Sequence, residues 1–130
     1  HRGDNMIKGI GTDILEISRM NKLVDNIKFM LSYYTDNEIS YISERPNRAE
    51  SAAAMFSAKE AAAKAIGTGF SGFGPKDIEI THNEKGMPSI VLHEKAEKAA
   101  KRRGIKIMHL SMSHCRMYAT AYVTAEGDDN

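Results

Sequence analysis

Tryptophan is absent from this 130-residue chain, cysteine occurs once and proline three times. A single cysteine excludes an internal disulfide and a multi-cysteine zinc site, and it favours a reduced, cytoplasmic setting. Aromatic residues make up only 7%, so the core must be built from aliphatic side chains, alanine and the eight methionines. Neither charge is in excess: eighteen Lys+Arg against seventeen Asp+Glu leave +1, which disfavours a strongly basic nucleic-acid binder. No apolar run approaches the ~18 residues that a membrane span needs, and no charged-then-apolar leader opens the chain. What is present, 42% hydrophobic and 27% charged residues, is the composition of one globular domain.

His1-Arg2-Gly3-Asp4-Asn5 before Met6 reads as an expression scar, residues 6–125 as a single domain, and 126–130 as a polar, frayed tail. Ile7–Ile14 has β-branched character broken by Gly9 and Gly11, which predicts a strand that another backbone approaches closely. Met20, Leu23, Val24, Ile27 and Leu31 fall at helical spacing, predicting a helix from Ser18 to about Leu31. Thr35 and Glu38 form a capping-box pattern opening a short helix that ends before Pro46. Asn47 and Glu50 repeat that logic for an Ala-rich helix over Arg48–Ile66, with Gly67 as its left-handed C-terminal cap. A glycine-rich loop runs from there to Pro75. Two strands over 78–81 and 89–92, a basic helix from Glu94 to Arg103 and strands over 108–113 and 118–125 complete the chain. The order predicts an α+β fold, a mostly antiparallel sheet packed against helices on one side.

Ser57, Glu60 and Lys64 stand at i, i+3 and i+7, so they share one stripe of the Ala-rich helix. On spacing alone Glu60–Lys64 is an i,i+4 surface salt bridge. The surrounding alanines let neighbours approach, however, and with the glycine-rich loop a carboxylate and an ammonium can hold a magnesium-bound diphosphate. Asp13, at the end of the glycine-interrupted strand, is either a helix cap or a second carboxylate. If it meets Glu60, the pair forms a hard, oxygen-rich site suited to Mg²⁺ rather than zinc. His82, His93, His109 and His114 lack zinc-ligand spacing. Met108, Leu110 and Met112 alternate with His109, Ser111 and Ser113, leaving a polar strand face that must meet solvent, ligand or a partner. Cys115 lacks a base-and-orienter constellation. Lys95, Lys98, Lys101, Arg102, Arg103 and Lys106 read as a solvated face.

Gly9–Ile14, Phe56–Ala61 with Lys64 and Gly67-Thr68-Gly69, and His109–His114 occur in that order. Together they closely resemble holo-acyl-carrier-protein synthase, the bacterial 4′-phosphopantetheinyl transferase family, from Met6 to about Ala125. The resemblance implies transfer of the 4′-phosphopantetheine arm of coenzyme A onto a serine of apo acyl carrier protein, releasing adenosine 3′,5′-bisphosphate for fatty-acid biosynthesis. It further implies a homotrimer with active sites between subunits, Asp13 and Glu60 as Mg²⁺ ligands, and Lys64 on the diphosphate. The coenzyme A contacts it implies are Lys64, Gly67, Gly69, His109, Ser57 and Pro88, and the carrier-protein docking residues are Arg19 and Lys22. Two positions depart from the family pattern: Met55 stands where an arginine is common, and Met87 where Gly-Lys-Pro is usual.

The chemistry fits these residues. A serine oxygen attacking phosphorus builds charge on phosphoryl and bridging oxygens, which Mg²⁺ and Lys64 neutralise. The proton goes to Glu60, directly or through water, with Asp13 through water as the rival. A Mg²⁺-dependent phosphohydrolase and a non-catalytic oligomeric binding module are the competing readings; neither needs an acyl carrier protein.

Overall fold

The computed structural model describes residues 5–128. Strand β1 (Met6–Glu16) leads through two short 3₁₀ turns (Ile17–Met20, Leu23–Asp25) into α1 (Ile27–Tyr33), α2 (Asp36–Ser43) and the long α3 (Arg48–Ile66). Then come β2 (Ile78–His82), β3 (Pro88–Leu92), α4 (Glu94–Arg102), β4 (Ile105–His114) and β5 (Tyr118–Gly127). The α+β expectation holds, but the strands form two sheets rather than one. β1, β5 and β4 make a three-stranded antiparallel sheet in that order, and β2–β3 is a separate antiparallel hairpin.

The Ala-rich segment folds over the predicted residues. Asn47 accepts the Glu50 amide at 3.0 Å, and Gly67, at φ +98°, closes the helix in the left-handed region. Alanine dominates because α3 lies directly on the three-stranded sheet. Ala52, Ala53, Ala58, Ala61, Ala62 and Ala65 are all fully buried. The glycines of β1 are the other half of this arrangement. A Cβ on Gly9 would overlap the carbonyl oxygen of Ala65, and one on Gly11 that of Ala61. The close backbone approach expected from the sequence is therefore strand against helix.

Two segments differ from the sequence reading. The helix expected over Ser18–Leu31 is broken, because Asn26 turns its side chain back to accept the Phe29 amide at 3.0 Å and starts a new helix there. Asp and Asn side chains compete with the helical ladder in this way, which apolar spacing does not reveal. Arg19 thus lies exposed in the first 3₁₀ turn and Lys22 exposed in the link before the second, not on a continuous helix. The segment from Glu126 is not frayed at its start. β5 runs to a buried Gly127, Glu126 pairs in register with Ile7 and Ile107, and Asp128 meets Lys106 at 2.7 Å. Residues 1–4, read as scar, and 129–130 of the tail lie outside the described residues.

Candidate active site

Strand alternation turns Gly9, Gly11, Asp13 and Leu15 toward α3 and Ile10, Thr12 and Ile14 outward. Asp13 is thereby delivered to the flank of α3. Lys64, from the last turns of α3, donates from Nζ to the Thr12 carbonyl at 2.9 Å and lies 3.4 Å from Asp13 Oδ1. Glu60, one turn earlier, accepts from the Tyr33 hydroxyl on Oε2 at 3.0 Å. The Tyr33 phenol is pushed far above its ordinary ionisation range, first by burial, then by Glu60, with Asp13 adding to the effect. The Lys64 ammonium beside Asp13 is half exposed. The fold brings Asp13 and Lys64 together, while Glu60 meets Tyr33.

The donor set fits a hard cation. Among the described residues no group of three or more His, Cys, Asp or Glu side chains could hold a metal. Two carboxylates leave the remaining positions to water and to phosphate oxygens, which is how Mg²⁺ is usually bound.

Ser57 does not join the other two. It is fully buried, and its Oγ has no hydrogen-bond partner among the described residues. Helical spacing places it on one stripe with Glu60 and Lys64, but its end of that stripe is buried. Gly67 has a local structural cause beyond its φ. The Arg103 guanidinium packs where its Cβ would stand and donates to the carbonyls of Ile66 and of Lys8, the latter at 3.0 Å. Arg103, read as part of a solvated face, is a clamp between β1, α3 and α4. Gly69, at φ +59°, has open space where a Cβ would go.

Lys59, adjacent to Glu60, was missed. It is fully buried; its ammonium lies 2.7 Å from Glu38 Oε1 and donates to the carbonyls of Pro75 (2.8 Å) and Ile78 (2.7 Å). Burial holds it below the ordinary lysine range even though Glu38 opposes that shift. Its spacing with the buried Met55, Ala62 and Ile66 was the available signal, since a lysine on the apolar stripe requires a buried anion.

Pro88 lies elsewhere. It lines a cavity of about 490 Å³ with Tyr41, Arg45, Met55, His82, Met87, Ser111 and His114, among others. Met55 and Met87, the two departures from the family pattern, share this cavity with a cation, Arg45. Its guanidinium lies 5.3 Å from the Tyr41 ring centroid, and that ring stacks on His82 at 4.0 Å. His109 is remote from the Asp13 group. It pairs with Glu126 at 2.8 Å and shares the outward row Ile10–Thr124–His109 across the sheet, whereas Asp13 points through to the opposite face. One chain does not bring His109 and Asp13 together.

The sequence matches the 4′-phosphopantetheinyl transferase superfamily over residues 9–123. The chain belongs to that superfamily. Within it, the chain is 46% identical over 126 residues to the holo-[acyl-carrier-protein] synthase of Clostridium novyi (strain NT), covering 96% of this chain and 91% of the relative. The crystal structure of holo-ACP-synthase from Plasmodium yoelii superposes with a TM-score of 0.83 at 32% identity, covering 97% of this chain and 99% of that one. The Bacillus anthracis holo-(acyl-carrier-protein) synthase in complex with CoA (3′,5′-ADP) gives 0.78 at 35% identity, covering 95% and 99%. Fold and family thus agree with the resemblance, and the molecule is an enzyme of the phosphopantetheinyl transferases. Among the described residues no helix is long and apolar enough to cross a membrane.

Proposed function

We propose that this transferase moves the 4′-phosphopantetheine arm of coenzyme A onto a serine hydroxyl of apo acyl carrier protein. Adenosine 3′,5′-bisphosphate is released, and the reaction depends on Mg²⁺ and serves fatty-acid biosynthesis in the cytoplasm. The observation that carries this reading is the contact of Asp13 on β1 with Lys64 on α3, Glu60 standing one helical turn before Lys64. Asp13 and Glu60 would hold the metal. When bound, it supplies charge neutralisation for the diphosphate oxygens.

The chain's own residues do the rest. The serine oxygen forms a new bond to the phosphorus next to pantetheine, and the bond from that phosphorus to the bridging oxygen breaks, leaving with the adenosine bisphosphate. The Lys64 ammonium offsets negative charge as it grows on the transferred and bridging oxygens. Glu60 receives the serine proton, directly or across one water. The half-exposed Lys64 side chain crosses the β1 edge, where a cavity of about 250 Å³ is lined by Ile10, Gly11, Thr12, Lys64 and Tyr122.

Coenzyme A would extend from this edge toward the Pro88 cavity and His109, of which His109 faces away from Asp13 within one chain. A homotrimer with shared sites reconciles them. The outer sheet face supports it, because Ile7, Ile10, Ile14, Ile107 and Tyr122 are exposed there, an apolar patch of the kind that marks interfaces. Ser57 is left out of the coenzyme contacts because it is buried. Arg19 and Lys22, both exposed, are placed to steer the carrier protein, and Gly67 and Gly69 keep the loop after α3 close to Lys64.

Incubation with coenzyme A, Mg²⁺ and apo acyl carrier protein, read by intact mass, should add one phosphopantetheine to the carrier and stop with chelator. Asp13→Ala and Glu60→Ala should each lower the rate by ~10³ or more while the fold is retained. An unmodified carrier, or coenzyme A cleaved without any acceptor, would overturn the reading.

A further inference from the structure

The active-site carboxylate Glu60 is held by a residue to which neither the sequence motifs nor the chemistry above gave a part. Tyr33, the last residue of α1, sends its hydroxyl to Glu60 Oε2 at 3.0 Å. The ring behind that hydroxyl is packed by three aromatic side chains. It stacks on Phe56 with centroids 4.6 Å apart and planes at 11°, and on Phe29 at 5.6 Å and 13°. Tyr34 meets it edge-on at 5.2 Å, and the buried Lys59 ammonium sits 5.8 Å from its centroid. That ammonium is itself anchored by Glu38 and two carbonyls.

Packing accounts for the ring but not for the oxygen. Phe29 and Phe56, on either side in the same stack, fill their places without a hydroxyl, and a desolvated O–H is costly unless paired. A donor locked by a rigid ring and aimed at a single carboxylate oxygen restricts that carboxylate to one rotation. We propose that Tyr33 is a positioning residue for Glu60: its hydroxyl occupies Oε2 and so presents Oε1 to the metal and the reacting groups. Partners of this kind around metal-binding carboxylates typically change metal affinity or activity by 10–100-fold when removed. This inference rests on the reading of Glu60 as a metal ligand.

The test uses the full chain with Mn²⁺ as probe, saturating coenzyme A and no carrier protein, with bound Mn²⁺ followed by electron paramagnetic resonance. Y33F keeps the ring and should weaken Mn²⁺ binding by ~10–100-fold; at saturating Mn²⁺ kcat should still fall while KM for coenzyme A stays unchanged. Phe29→Leu disturbs the same stack but not the hydroxyl, and should leave Mn²⁺ affinity at the wild-type value. If Y33F binds Mn²⁺ as the wild type does while Glu60→Ala loses it, Tyr33 has no positioning role and the metal reading of Glu60 stands. If Phe29→Leu weakens Mn²⁺ as much as Y33F, the role is packing alone and the proposal falls. If the wild type binds no Mn²⁺, the metal reading and the inference built on it fail together.

Discussion

Gly11 and Lys64 meet at the same edge of β1 for opposite reasons, one leaving room and the other crossing it. A methyl group at Gly11 would press on the backbone oxygen of Ala61, which cannot move without shifting α3. Gly11→Ala should therefore destabilise by roughly 1–3 kcal/mol, seen as a lower denaturant midpoint with an unchanged slope. Lys64→Ala removes an exposed ammonium, so stability should barely change. The kcat/KM for transfer should fall by ~10²–10³. A variant with unaltered kcat/KM would remove Lys64 from charge neutralisation. Helical spacing put Glu60 and Lys64 on one stripe of α3 but put the buried Ser57 there too, and Asp13 stayed open between a helix cap and a second carboxylate until the fold set it against Lys64. Tyr33 was not legible: its partner is 27 residues away, and nothing in the α1 sequence indicates which way that helix faces.

At the level of elements, α3 was the most readable part of the chain, since cap, alanine run and glycine stop agree with one another and with the tertiary contacts. The 17–33 segment was the least readable. Its apolar positions have helical period, yet Asn26 ends one local structure and begins another. The β2–β3 hairpin carries a pH-dependent element. His82 stacks on Tyr41, and its pKa is lowered from 6.5, by burial and then by Arg45. The folded state thus binds that proton less readily than the unfolded chain, so this contribution to stability is lost as pH falls through and below 6.5. Denaturant melts of wild type and His82→Gln at pH 7.5 and 5.5 should show a steeper acid loss in the wild type. Parallel losses would remove His82 as the cause.

For the whole molecule, the decisive fact is that Asp13 and His109 lie on opposite faces of one sheet. If the working site joins residues of two subunits, variants broken in different halves should complement each other. Glu60→Ala and His109→Ala, each impaired alone, should recover part of the wild-type rate when unfolded and refolded together, because some interfaces then pair an intact Glu60 half with an intact His109 half. Activity no greater than the sum of the two separate preparations would place all the necessary groups in one chain. The exposed isoleucines of the outer sheet face predict in addition that Ile10→Asp lowers the assembly size seen by light scattering.

Composition, cap signals and residue spacing determined the α+β class, the boundaries of α3, the hairpin and the shared helical stripe of Glu60 and Lys64, because each of these is set by local backbone preference or by helical and strand period. Tertiary structure alone decided that Ser57 is buried, that Arg103 clamps the end of α3, that Lys59 is held under the site by Glu38, and that Tyr33 holds Glu60. Those facts depend on which segments distant in the chain come to lie side by side, and no local period encodes that.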